Sequence, residues 1–280
     1  MDTIIGLGNA GCNIADRFAA YPQYKVYKLD VGLKTTKKTF GIKEQEQIED
    51  YESKMPSMRT FFKDVNGEIL FIVGGGGKVS SAALAILKSL RKAKINLLYV
   101  RPSISLLNET QQQLERMTFG VFQNYARSGL FNRMYLVSNE IIEKNAGGLS
   151  IKNYYTKINE IIVSTFHMIN VYKNNKTVAD TFCRPPLGAR ISTIGFSNFE
   201  KEEDKLFFSL DNITDVVYYC AYNKNKLETD SSLMNQIKNA ITKKKEENVR
   251  ATYGIYETDY DDDYIYCVSH TSVIQQELGD

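Results

Sequence analysis

What this 280-residue sequence lacks narrows the reading first. Its four cysteines, Cys12, Cys183, Cys220 and Cys267, form no C-x-x-C pair. Neither a zinc site nor a disulfide framework is therefore expected, no metal-ligating residues are assigned, and a reducing compartment fits best. No run of 18 apolar residues occurs, and Met1 and Asp2 lead straight into a strand-like stretch without a basic segment before it. Neither a membrane span nor a signal peptide is expected. An excess of one charge sign is also missing, with a formal net charge of +2. The densest basic run, Lys243, Lys244 and Lys245, is followed at once by Glu246 and Glu247, which reads as a solvated helix face and gives no reason to expect a nucleic-acid partner. Glycine and proline are not in excess, and there is no repeat or low-complexity tract. What remains, 43% hydrophobic and 24% charged residues, is the balance of a globular rather than a disordered chain. It is long enough for two domains.

Along the chain, apolar β-prone runs alternate with helical patterns over the first 140 residues. Strands are expected over 3–8, 24–29, 68–73, 95–100 and 134–137. Helices are expected over 12–20, over 43–63 with a break at Pro56, over 80–91 and over 106–125. Such alternation implies a mostly parallel sheet covered by helices, with ligands bound at the carboxyl ends of its strands. Residues 150–172 read as one long helix, because Tyr154, Ile158, Ile161, Ile162, Phe166 and Ile169 recur at three- and four-residue steps and make one buried stripe. Beyond it, strand-like runs over 190–196, 215–221, 250–257 and 263–270, with a helix near 231–247, suggest an α+β region.

Two glycine-rich turns carry the chemistry. Gly6-Leu7-Gly8-Asn9-Ala10-Gly11 follows a strand and opens a helix. Glycines there allow close backbone approach, and the helix N-terminus offers free N–H groups to an anion. Asp30, at the end of the second strand, stands where a dinucleotide-binding fold puts its ribose-binding acid, so a nicotinamide-dependent oxidoreductase is one reading. Against it, His167 and His270 are the only histidines available as acid or base, and neither lies in a site motif. Gly74, Gly75, Gly76 and Gly77 form a second cradle, followed by Lys78, Val79 and Ser80. Four consecutive glycines cost chain entropy, which makes sense if their N–H groups must curl around phosphate oxygens. The string departs from the P-loop pattern. A pair of cradles at neighbouring strand ends suggests one polyphosphate held from both sides.

At these motifs the chain resembles the tubulin/FtsZ family. Gly8, Gly11 and Asn13 are similar to that family's opening glycine loop and its asparagine. Gly75, Gly76, Gly77, Lys78, Val79, Ser80 and Ser81 stand where the family has G-G-G-T-G-T-G, and Ala82 and Ala83 continue the likeness. Val100, Arg101 and Pro102 resemble the strand end before the next nucleotide loop, and Val137, Ser138, Asn139 and Glu140 resemble the segment after the following strand. Tyr155 and Asn159 resemble the aromatic and amide pair that holds guanine. Spaced by four, they share a helix face. Residues 251–256, an acidic turn over 259–263, and residues 265–271 resemble the last two strands.

The resemblance implies an α/β fold. It comprises a parallel Rossmann-like GTPase sheet over residues 1–149, a central helix over residues 150–173 and an α+β domain over residues 174–280. It implies GTP or GDP with Mg²⁺, contacted by Gly8, Asn9, Ala10, Gly11, Cys12, Asn13, Asp30, Gly74, Gly75, Gly76, Gly77, Lys78, Val79, Ser80, Asn139, Tyr155 and Asn159. It further implies a head-to-tail homopolymer in which the loop after the central helix completes the next subunit's pocket. Here Asn175 and Asp180 lie in that loop, Asp180 matching its second acid and Thr177 replacing its first. Both threonines of the glycine signature are also changed, so a scaffold without GTP turnover or binding stands beside the GTPase reading. Only ten residues follow residue 270, too few for a membrane-adaptor tail. A cytoplasmic filament is expected, of the kind that positions phage or plasmid cargo in bacteria through an adaptor, with no direct membrane contact.

Overall fold

The computed structural model describes residues 1–276. They form two compact units, residues 1–163 and residues 164–275.

The first unit contains β1 (Thr3–Leu7), α1 (Gly8–Phe18), β2 (Lys25–Val31), β3 (Thr39–Ile42), α2 (Ile48–Ser53), β4 (Glu68–Gly74), α3 (Ala83–Lys88), β5 (Lys94–Arg101), α4 (Glu109–Arg127), β6 (Arg133–Ser138) and α5 (Asn139–Asn145). The strands run parallel in the order β3-β2-β1-β4-β5-β6. Central strands of such a sheet are covered on both faces and so are apolar throughout. Thus Ile69, Leu70, Phe71, Ile72 and Val73 of β4 are all fully buried, as are Leu97, Leu98 and Tyr99 of β5. The strand order reverses direction between β1 and β4, so the crevice at their carboxyl ends is the position where this architecture binds ligands. α4 is started by a capping box, Asn108 Oδ1 accepting from the Gln111 N–H at 2.9 Å and Gln111 Oε1 accepting from the Asn108 N–H at 3.1 Å.

α6 (Tyr154–Lys173) carries the boundary between the units, after Val163. The second unit continues with β7 (Ala179–Asp180), β8 (Ile191–Asn198), β9 (Glu203–Leu206), β10 (Asp215–Asn223), α7 (Lys224–Thr229), α8 (Leu233–Glu246), β11 (Arg250–Thr258) and β12 (Tyr264–Thr271). Its strands lie in the order β9-β8-β12-β10-β11-β7, antiparallel except for β10 beside β11. One face packs Val216, Tyr218, Cys220 and Cys267 against Leu233 and Ile237 of α8. Burying each of those two aliphatic side chains contributes about 1.5–3 kcal/mol.

The α/β class and alternating order are as read from sequence, with local differences. The helix expected over 43–63 shrinks to α2, where Tyr51 alone is buried, because that polar stretch has no apolar stripe to hold a longer helix against the sheet. The helix expected over 80–91 begins as a 3₁₀ turn, Lys78–Ala82, and only Ala83–Lys88 is α-helical. α1 starts at Gly8, four residues early. Strands β3, β7 and β9 are short, and helices α5 and α7 span 7 and 6 residues, below the length at which periodicity shows.

Candidate functional site

β1 passes into α1 without a loop. The junction depends on Gly8, whose φ of +70° suits glycine and strains other residues. A Cβ on Gly11 would collide with the Ile72 carbonyl of β4. The glycine spacing therefore serves close packing of helix on sheet as well as access to the helix N-terminus. No side chain caps that terminus and no acid occupies its first turn, so its leading N–H groups keep their partial positive charge. Asn9, Ala10 and Asn13 are exposed while Gly8, Gly11 and Cys12 are buried. Asn13 donates to Asn9 at 3.1 Å along one helix face. Cys12 packs inward, its Sγ 3.4 Å from the Gly6 carbonyl and 3.5 Å from that of Leu29. Burial, aided by the charge of Asp30, pushes its thiol up to about 12.

The second turn lies on the adjoining strand. The Gly75 N–H donates to Val100 at 3.0 Å, prolonging the pairing of β4 with β5. Gly76 turns the chain at a φ of +75°. The Ser80 hydroxyl donates to the Gly74 carbonyl at 2.6 Å, and the Ser80 N–H donates to Gly77 at 3.0 Å. Ser80 thus closes the turn, which explains why the following helix starts tight. Gly77 and Lys78 are exposed. The two turns meet: a Cβ on Gly8 would lie 3.9 Å from Val79 Cβ, and one on Gly74 would lie 3.0 Å from Ala10 Cβ.

Beneath the second turn lies a buried group that the sequence did not announce. Arg101 and Glu115, 7% and 0% exposed, form an ion pair at 3.2 Å. The Tyr99 hydroxyl donates to the same Glu115 carboxylate at 3.2 Å, and the Arg101 guanidinium lies 5.2 Å from the Phe119 ring centre. Burial, then the Glu115 charge, holds the Tyr99 phenol well above its usual value. A charge on an amphipathic helix ordinarily faces water, so Glu115 gave no sequence signal.

The third element is the end of β6. Ser138 caps α5, its hydroxyl accepting from the Ile141 N–H at 3.4 Å. Asn139, the first residue of α5, is only 8% exposed, and its Oδ1 has no hydrogen-bond partner. Such an atom costs about 1–3 kcal/mol when left unpaired. One turn further, Glu143 accepts from the Tyr154 hydroxyl at 3.1 Å, tying α5 to the start of α6. There Tyr155 is 62% exposed, its ring edge-on to Tyr154 at 5.0 Å. Asn159 is half-buried on the next turn. Arg17 of α1 pairs with Glu160 of α6 at 3.2 Å. Asn9, Asn13 and Arg17 share one face of α1, so this pair links that face to α6. Asp30, at the end of β2, accepts from the Val31 N–H at 2.8 Å, and burial raises its carboxyl.

The structure thus brings Gly8 to Asn13, Gly74 to Ser80 and Asn139 to the carboxyl ends of β1, β4 and β6. α6, which carries Tyr155 and Asn159, is joined to α1 and α5. Asn175 and Asp180 belong to the second unit, where both are exposed. Asn175 follows the end of α6, its N–H donating to Tyr172 at 3.2 Å. Asp180 stands on β7 and accepts from the Thr177 hydroxyl at 2.5 Å and the Phe182 N–H at 3.3 Å. A cleft of about 310 Å³ in the second unit, near Asp204, Tyr218 and Lys244, involves none of the candidate residues.

No protein-family description and no curated protein matches this sequence. Solved structures do. GDP-form protofilaments of Bacillus thuringiensis serovar israelensis TubZ align with a TM-score of 0.73 at 15% identity, covering 97% of this chain and 86% of that one. The GTPγS-bound protofilament of CetZ2 from Haloferax volcanii aligns with a TM-score of 0.67 at 17% identity, covering 96% and 92%. An empty FtsZ dimer from M. jannaschii aligns with a TM-score of 0.65 at 10% identity, covering 96% and 87%. With nearly the whole chain superposed on each, and the glycine turns at its strand ends, this protein has the tubulin/FtsZ fold.

Proposed function

We propose that this chain binds a guanine nucleotide on its first unit and polymerises head to tail into cytoplasmic filaments. The observation that carries this reading is the buried, unpartnered Asn139 Oδ1, at the same end of the sheet as the two touching glycine turns. An acceptor left open there calls for a ligand with N–H donors, which the guanine edge supplies. The uncapped N-terminus of α1 and the exposed Gly77 and Lys78 would hold the phosphates, Tyr155 would stack on the base, and Asn159 would bond its edge. Among the described residues no three His, Cys, Asp or Glu side chains cluster to hold a metal, so Mg²⁺ would be held mainly by phosphate oxygens. The bound nucleotide supplies the phosphoanhydride that is cleaved. Asp180 of an adjoining copy would orient the attacking water, with Asn175 beside it, and cleavage would loosen the contact between copies. A heterologous contact of this kind propagates rather than closes.

The solved relatives include protofilaments and two- and four-stranded TubZ filaments, which supports self-association here. One is described as a type III plasmid segregation protein, which supports plasmid cargo; phage cargo and an adaptor are proposed beside it. No helix among the described residues is long and apolar enough to cross a membrane. A second reading, assembly without turnover, is favoured by Thr177 in place of an acid and by the inward commitment of the Ser80 hydroxyl. The strand order is also that of dinucleotide-binding sheets, so topology alone does not separate the nicotinamide reading. The second glycine turn favours the guanine-nucleotide reading, because a dinucleotide fold would not need a second phosphate cradle.

Light scattering followed by electron microscopy tests the proposal. GTP should raise scattering and give filaments, and a chain that stays monomeric with and without GTP at all concentrations refutes it. Phosphate release then separates the GTPase from the scaffold reading.

A further inference from the structure

The segment after α6 pairs with the edge of β11 from Val178 to Thr181. The Val178 N–H donates to Ile255 at 2.8 Å, the Thr181 N–H donates to Tyr253 at 2.9 Å, and the Tyr253 N–H donates to the Thr181 hydroxyl at 3.2 Å. Asp180 pairs with Gly254 in register. Further on, the Arg250 guanidinium lies 3.4 Å from Cys183 Sγ and donates to the Arg184 carbonyl at 2.9 Å. This segment is thus a strap, fastened at both ends to its own sheet.

Its middle is seated by the glycine opposite Asp180. A Cβ on Gly254 would collide with the Phe182 ring and would stand 3.2 Å from Thr177 Cγ2. The missing side chain is the space into which Phe182 and the Thr177 methyl fold, and Phe182 continues onto Tyr219 at 5.6 Å. With its methyl on Gly254, Thr177 turns its hydroxyl onto the Asp180 carboxylate at 2.5 Å. A carboxylate on an exposed two-residue strand otherwise samples several rotamers. Here one oxygen is held by a hydroxyl and the other by the Phe182 N–H, so the carboxylate is oriented before any second copy arrives.

We infer that Thr177 is a positioning residue, its hydroxyl fixing the Asp180 carboxylate for the water it orients, with Gly254 as the seat that holds Thr177 in place. The inference rests on the proposed polymer-dependent GTPase. The residue that replaces an acid thereby acquires a role through its neighbour.

Two substitutions separate the hydroxyl from the methyl. Thr177→Val keeps shape and the contact with Gly254 but removes the donor, whereas Thr177→Ser keeps the donor and loses the methyl. Phosphate release per polymerised subunit is measured with nucleotide affinity and critical concentration alongside. Thr177→Val should lower turnover about tenfold with both other quantities unchanged. Thr177→Ser should stay within about twofold of the wild type. Equal turnover in Thr177→Val and wild type overturns the inference, as does equal loss in Val and Ser variants. A wild-type chain that assembles on GTP without releasing phosphate overturns it by a distinguishable route, because the underlying GTPase reading then fails first.

Discussion

Replacing Gly75 by alanine would place a methyl over the buried group beneath the second glycine turn. The new Cβ would overlap the Tyr99 hydroxyl and stand 2.8 Å from Glu115 Cγ and 3.1 Å from Tyr99 Cζ. Ordinary contact begins near 3.4 Å, so Glu115 Cγ must retreat by roughly 0.6 Å in a region with no slack. Overpacking of this kind costs about 1–3 kcal/mol. Displacing Tyr99 also breaks its bond to a charged, fully buried carboxylate, which adds about 1.5–3 kcal/mol. Gly75→Ala should therefore lose about 2.5–6 kcal/mol in urea unfolding followed by circular dichroism, a large share of the ~5–15 kcal/mol available to a typical protein. Gly120→Ala is the control: Gly120 lies inside α4 with nothing within 4 Å of its would-be Cβ, and the change should stabilise by up to about 1 kcal/mol. Adding Tyr99→Phe to Gly75→Ala removes the overlapping oxygen, so the double variant should be more stable than the sum of the singles by more than about 1 kcal/mol. A Gly75→Ala protein within about 0.5 kcal/mol of the wild type would refute the reasoning.

Asn139→Ala removes the unpaired acceptor and should weaken GTP binding about 10- to 100-fold with little change for ATP; an unchanged GTP to ATP ratio in isothermal titration removes Asn139 from base recognition. Asp180→Ala should abolish phosphate release while filaments persist longer in electron micrographs; unaltered release excludes Asp180 from the chemistry. Cysteine titration with a disulfide reagent should find one fast thiol, the exposed Cys183, and four after unfolding, since Cys12, Cys220 and Cys267 are buried. Because Cys12 ionises near 12 in the fold and near 9 when unfolded, its contribution is complete below the lower value and is lost as pH rises toward the upper. Cys12→Ala should flatten the fall of stability between about pH 9 and 12; a fall as steep as that of the wild type contradicts this.

The parts of the fold legible in the sequence were those whose burial writes itself into composition. β4 and β5 carry apolar runs, residues 69–73 and 97–100, because both faces are covered, and α6 carries a long stripe. β3, β7 and β9 were illegible because strands of two to four residues are too short to show a period. Gly8 and Gly76 were recognisable as turn residues and do take positive φ. The role of Gly11 in packing α1 onto Ile72 was not visible, since a glycine for ligand approach and a glycine for helix packing look alike in a string. Ser80 is legible in the string as a hydroxyl at the first helical turn, but that its hydroxyl closes on Gly74 is set by turn geometry. The Arg101–Glu115–Tyr99 group depends on which face of α4 meets β5, and a single sequence does not register two elements against each other.

The most direct measurement is competition at equilibrium for a fluorescent guanine nucleotide bound to the wild-type chain, with Asn139→Ala in parallel. GTP and GDP should displace the probe at far lower concentration than ATP or NAD, and Asn139→Ala should narrow that gap. Failure of the probe to bind, or displacement by NAD in preference to GTP, would contradict a guanine nucleotide held between the two glycine turns.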